Sequence, residues 1–107
     1  MNSIKVVTIC GSMKFQKEMV QIAEKLELEK NYAVLQCIFG DHRKHYTEKE
    51  LQKLEELHFK KIEISDAIYV VNVNGYIGDA TRKEIEYAQS LQKEILSLEP
   101  LCKMIKK

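Results

Sequence analysis

The sequence predicts an α/β domain: a small doubly wound, Rossmann- or flavodoxin-like parallel sheet of four to five strands with helices on both faces. Two observations carry that expectation. Short runs of strand-forming residues alternate with amphipathic stretches in the order β-α-β-α-β-α-β, and crossovers this short imply right-handed connections between parallel strands. The first run, Ile4-Lys5-Val6-Val7-Thr8-Ile9-Cys10, is nearly continuous in apolar character, as befits a strand covered on both faces.

Taken in order, Ile4 to Cys10 forms the first strand, and Gly11-Ser12-Met13-Lys14 turns the chain into a helix. Phe15, Met19, Ile22 and Leu26 then recur at i, i+4, i+7 and i+11, one stripe of an amphipathic helix that ends at Asn31. Tyr32 to Cys37 is the second strand. Ile38 to Tyr46 is a polar loop. Thr47-Glu48-Lys49-Glu50 matches a capping box and opens a second helix, whose apolar line is Leu51, Leu54, His58 and Ile62 with Leu57 alongside. Ser65-Asp66 stops it. The third strand runs from about Ala67 to Val73. After a loop with two glycines, Ile85, Ala88 and Leu91 mark the buried side of a third helix. Glu94 to Leu98 is a fourth strand, and Pro100 breaks the chain.

A length of 107 residues suits one domain with one core, and 45% hydrophobic with 31% charged residues is ordinary globular composition. The net charge of +1 gives no reason to expect a nucleic acid polymer or an anionic membrane as partner. No apolar run approaches the ~20 residues that span a bilayer, and no signal-peptide pattern opens the chain. Cys10, Cys37 and Cys102 lack metal spacing and read as free thiols, which points to a cytoplasmic protein.

Two loops follow strand ends, where open α/β sheets place their ligands. In Cys10-Gly11-Ser12-Met13-Lys14, backbone N–H groups, the Ser12 hydroxyl and the Lys14 charge can cradle a phosphate or carboxylate. It is neither a Walker loop nor a dinucleotide fingerprint, and a plain turn capped by Ser12 fits as well. The second loop, Asn72 to Ala88, carries Glu84. Either Thr81-Arg82-Lys83-Glu84 is a capping box that occupies Glu84, or Asp79 caps the helix and frees Glu84 as a carboxylate nucleophile.

Other features are weaker. His58 on the apolar line reads as a satisfied core histidine or a functional one. His42 and His45 have no third metal ligand at suitable spacing, so no metal site is expected. Tyr76 either stacks on a planar base or covers its own loop.

Both loops resemble those of the nucleoside 2-deoxyribosyltransferase superfamily, which includes the 2'-deoxynucleoside 5'-phosphate N-hydrolases. The family nucleophile is the Glu of a Glu-Leu/Ile-x-x-Ala pattern, matched here by Glu84-Ile85-Glu86-Tyr87-Ala88, which selects Glu84 over Glu86. Its nucleotide hydrolases carry Cys-Gly-Ser-Ile-Arg, to which Cys10-Gly11-Ser12-Met13-Lys14 is similar, with Lys14 in place of the phosphate-holding Arg. The sequence departs from the family at three places. His58 stands where an aspartate contacts the sugar, Gly78 stands at an acidic or serine position with Asp79 next to it, and Thr8 replaces a first-strand aromatic.

The resemblance implies one such domain over residues 1–107 and covalent catalysis at the anomeric carbon, either hydrolysis or base exchange on a nucleoside or nucleoside 5'-monophosphate. Glu84 would attack C1', and Asp79 or His58 would protonate the leaving base. Gly11, Ser12, Met13 and Lys14 would hold the phosphate, while Asn74, Gly75, Tyr76, Gly78 and Thr81 would line the base or sugar. No cofactor is implied. A homodimer or larger homo-oligomer is expected, with Tyr87, Leu91 and the second helix contributing. The competing expectation is a nucleotide-binding or sensing module in which Glu84 caps or accepts a hydroxyl, and a third is a purely structural subunit.

Overall fold

The computed structural model describes residues 3–37 and 45–101. Strand β1 (Val6–Gly11) leads through a 3-10 turn (Met13–Phe15) into helix α1 (Gln16–Lys30) and strand β2 (Ala33–Leu35). Helix α2 (Glu48–Ile64), strand β3 (Ala67–Val71), a second 3-10 turn (Val73–Gly75), helix α3 (Asp79–Ser90) and strand β4 (Glu94–Ser97) complete the order. All four strands are parallel and lie side by side as β2-β1-β3-β4.

Alternation along the strands builds two cores. Ile9 and Val71 face Met19, Ala23 and Leu26 of α1 on one side of the sheet. Cys10, Ile68 and Val70 face Ile62 of α2 and Ile85 and Ala88 of α3 on the other. Successive strand residues point to opposite faces, so each central strand feeds both layers. The sheet is doubly wound with four strands, as expected.

The signals that end α1 and start α2 hold in detail. Asn31 adopts φ 61°, ψ 35°, ending α1 in the left-handed region, where Asn is tolerated better than most residues. Thr47 forms the full capping box: Glu50 N–H donates to Thr47 Oγ1 at 3.1 Å, and Thr47 N–H donates to Glu50 Oε1 at 2.9 Å. Other expectations fail. The second strand is three residues rather than six and sits at the sheet edge, with only one neighbour to define it. Leu91 closes α3 instead of packing under it and is 39% exposed. Leu51 and Leu57 are about half exposed, so α2 buries only His58 and Ile62 fully. The loop histidine His42 and the thiol Cys102 lie outside the described residues.

The topology fixes where a ligand can sit. The chain leaves β1 toward β2 on one side and returns to β3 on the other. The crevice therefore opens beyond the carboxyl ends of β1 and β3, at Gly11 and Val71. Gly11 fits tightly there: a Cβ would lie 3.0 Å from Met19 Sδ and 3.1 Å from the Val71 carbonyl oxygen, so these neighbours would have to shift.

Candidate functional site

Helix α2 crosses β1 so that its buried positions meet alternate strand residues. Thr8 Oγ1 donates to the Lys61 carbonyl at 3.1 Å and is paired with the Ser65 hydroxyl, while two residues on, Cys10 meets His58 one turn earlier in α2. Thr8 is thus fully buried beneath the site and does not line it. Helix α3 arrives from β3 with Ile85 and Ala88 in the core and brings Glu84 up beside His58.

The helix start decides what Glu84 is free to do. Gly78 is the N-cap, extended at φ −81°, ψ 174°, and Asp79 is the first helical residue. Thr81 is therefore inside the helix, 3% exposed, and cannot cap it. Both capping expectations for this loop are corrected: neither Thr81 nor Asp79 is the N-cap, because Gly78 reaches the extended cap conformation first. Glu84 lies in the second turn, without a capping bond to hold it.

Three side chains converge at the floor. His58 Nε2 lies 3.5 Å from Glu84 Oε1 and 3.7 Å from Cys10 Sγ. His58 and Glu84 are 7% and 14% exposed at their side chains. Glu84 Oε1 and His58 Nδ1 are buried with no hydrogen-bond partner. Burial and then the Glu84 charge push the Cys10 thiol well above its ordinary range, so it stays protonated. Cys37 is pushed up in the same way, by burial first and Glu84 second.

Above this floor lies a cleft of about 1060 Å³, within reach of the upper end of small-molecule sites. It gathers Gly11, Ser12, Met13, Gly78, Asp79 and Thr81 around His58 and Glu84. Helix α2 supplies an opposite wall that includes Leu51, Leu54 and Glu55, with Tyr46 and Cys37 beside it.

Four expected binding residues, Lys14, Asn74, Gly75 and Tyr76, stay outside the cleft. Lys14 Nζ sits 3.5 Å from the centre of the Tyr76 ring, and Phe15 packs edge-on against the same ring at 5.9 Å. Lys14 instead borders a separate shallow groove along α1 with Lys17, Val20 and Gln21. Asn74 and Gly75 form the left-handed corner of the loop, at φ 56° and φ 81°, and are exposed. Ser12 acts as the cap of the first 3-10 turn, its Oγ accepting from Lys14 N–H at 3.4 Å. Asp79 is 95% exposed at the mouth, its Oδ1 3.5 Å from an Arg82 guanidinium nitrogen.

A scan of the chain against protein-family models finds no match. A comparison with curated proteins finds none either.

Cys10 is the site residue that sequence reasoning left in the core. Its parity with Thr8 on β1, together with the His58–Ile62 spacing on α2, was the available signal.

Proposed function

We propose that the protein cleaves the N-glycosidic bond of a nucleoside or nucleoside 5'-monophosphate, or exchanges its base, with Glu84 as nucleophile. The observation that carries this reading is the placement of Glu84. It is a carboxylate without a capping role, at the crevice beyond β1 and β3, with a buried oxygen that makes no hydrogen bond at the floor of a cleft of about 1060 Å³.

In this mechanism a Glu84 oxygen bonds to C1' as the C1'–N bond breaks. The base leaves with the bonding electron pair and takes up a proton. Water, or the nitrogen of a second base, then attacks C1' of the glycosyl ester and regenerates the carboxylate. His58 is an unsuitable proton donor for the base, since an acid opposite the nucleophile stands about 5–5.5 Å from it in enzymes that form a glycosyl intermediate. At 3.5 Å His58 instead holds the Glu84 carboxylate in place. Asp79, which lines the cleft and is exposed at its mouth, takes the role of proton donor to the base in this mechanism.

A second reading, nucleotide binding without cleavage, is favoured by the depth of Glu84, which presents little of its surface to a ligand. Incubating the protein with a panel of nucleosides and monophosphates, and resolving products by chromatography, separates the two. Release of free base supports the glycosidase or transferase; saturable binding without release supports the module.

The same reading includes a homodimer. Leu57, Ile64 and Leu91 are 49%, 60% and 39% exposed on α2 and the end of α3, apolar side chains that a second copy would cover. Tyr87, by contrast, is engaged within the chain, stacking edge-on with Phe59 and donating to Glu63. Among the described residues no helix is long and apolar enough to cross a membrane.

A further inference from the structure

Cys10, His58 and Glu84 come from β1, α2 and α3, and no spacing in the sequence announces them as a set. In the fold, one potential ligand atom from each lies within 4.8 Å of the other two. Two edges are 3.7 Å from Cys10 Sγ to His58 Nε2 and 3.5 Å from His58 Nε2 to Glu84 Oε1. A tetrahedral zinc ion with ordinary bond lengths sets thiolate and imidazole donors about 3.6 Å apart, and imidazole and carboxylate donors about 3.3 Å apart. Two edges are therefore close to those of a tetrahedral face, and the third, from Cys10 to Glu84, is within 4.8 Å. A self-contained polar triad would satisfy its own atoms, yet Glu84 Oε1 is buried without a hydrogen bond.

We infer that Cys10, His58 and Glu84 form a binding site for a thiophilic divalent cation, with a fourth position open to the cleft. Sulfur, imidazole and carboxylate together select zinc over magnesium or calcium, which take oxygen ligands. His58 and Glu84 both line the cleft, which gives the ion a route in. Loading forms a metal–sulfur bond as the Cys10 thiol proton passes to solvent, so each ion bound releases one proton from the thiol. A metal on Glu84 would occupy the nucleophile and make the metal-free protein the active form. That consequence rests on the proposed function, whereas the binding does not.

The test is cobalt titration of the reduced, chelator-treated full chain, followed by zinc. The expected result is uptake of one cobalt per chain, with a thiolate-to-cobalt charge-transfer band and the visible bands of a tetrahedral centre, all displaced by zinc. Loss of a second-shell partner costs about 10–100-fold in affinity, so removing a ligand should cost at least about a hundredfold. Cys10→Ser, His58→Gln and Glu84→Gln should each show that loss, while Cys37→Ser keeps the spectrum. Because Cys10 is in the core, the two cleft-side variants decide the matter if Cys10→Ser melts early. No saturable uptake by the folded wild type, or unchanged affinity in both His58→Gln and Glu84→Gln, overturns the site. Base release is followed separately, with chelator and with zinc. A protein that binds cobalt but releases no base keeps the site and loses the proposed function. One that releases base but binds no cobalt loses the site alone.

Discussion

His58 Nε2 stands 3.5 Å from Glu84 Oε1, with both side chains largely buried beneath the cleft. The contact is too long for a good hydrogen bond, but it sets the ring directly beside the carboxylate. In the proposed reaction His58 positions the nucleophile without touching the base. His58→Ala should therefore lower kcat by about 10²-fold while KM changes little, and His58→Gln should recover part of the loss by filling the same space. Steady-state kinetics on both variants checks this. A loss confined to KM would instead make His58 a substrate contact.

Lys14 presents a choice between two partners. Stacking on an exposed aromatic ring contributes about 0.5–1 kcal/mol, whereas a charge-assisted bond to phosphate contributes roughly 1.5–3 kcal/mol. A 5'-phosphate in the cleft should therefore draw Lys14 from Tyr76. Lys14→Ala is expected to weaken monophosphate binding by about tenfold and leave nucleoside binding nearly unchanged, as measured by calorimetric titration. Equal losses for the two ligands would leave Lys14 as the partner of Tyr76 alone.

Asn72 is the buried clamp that ends the sheet. Its side-chain amide donates to the Glu99 carbonyl at 3.1 Å and accepts from Glu99 N–H at 2.8 Å, tying the chain after β4 to the end of β3. Asn72→Ala leaves the Glu99 N–H without its partner, while the Glu99 carbonyl keeps the Ser97 hydroxyl at 2.6 Å, and should destabilise the fold by about 1–3 kcal/mol. Urea unfolding should show a lower midpoint with little change in slope.

The Tyr87–Glu63 hydrogen bond makes stability fall at both ends of the pH scale. The bond lowers the Glu63 carboxyl below 4.5 and raises the Tyr87 phenol above 10.0. A depressed carboxyl contributes stability above its unfolded value, lost as pH falls through the folded one. A raised phenol contributes below its unfolded value, and that is lost as pH rises through the folded one. Both groups are at the surface, so the effect is small. Tyr87→Phe should flatten the melting-temperature profile below pH 4.5 and above pH 10.0.

Periodicity made the fold legible, because the apolar stripes of α1 and the runs of β1 and β3 are local patterns with one satisfactory burial. The Asn31 end of α1 and the capping box of α2 were legible for the same reason. What escaped was geometry that depends on several elements at once. Gly78 caps α3 by backbone conformation, so no side-chain pattern marks it. Cys10 reaches the site only because strand parity and the crossing of α2 bring it under His58. Lys14 was expected in a phosphate cradle, yet Tyr76, sixty-two residues later, supplies a ring that sequence distance hides.

The central claim is that Glu84 forms a bond to the sugar, and base release by Glu84→Gln tests it most directly. Glutamine keeps the shape of the side chain but is a poor nucleophile. Glu86, two positions on and about 200° around the helix, is exposed and gives the matched control. With a substrate the wild type cleaves, Glu84→Gln should release no base above background while melting as a folded protein, and Glu86→Ala should retain activity. A folded Glu84→Gln protein that releases base at the wild-type rate would contradict the covalent mechanism.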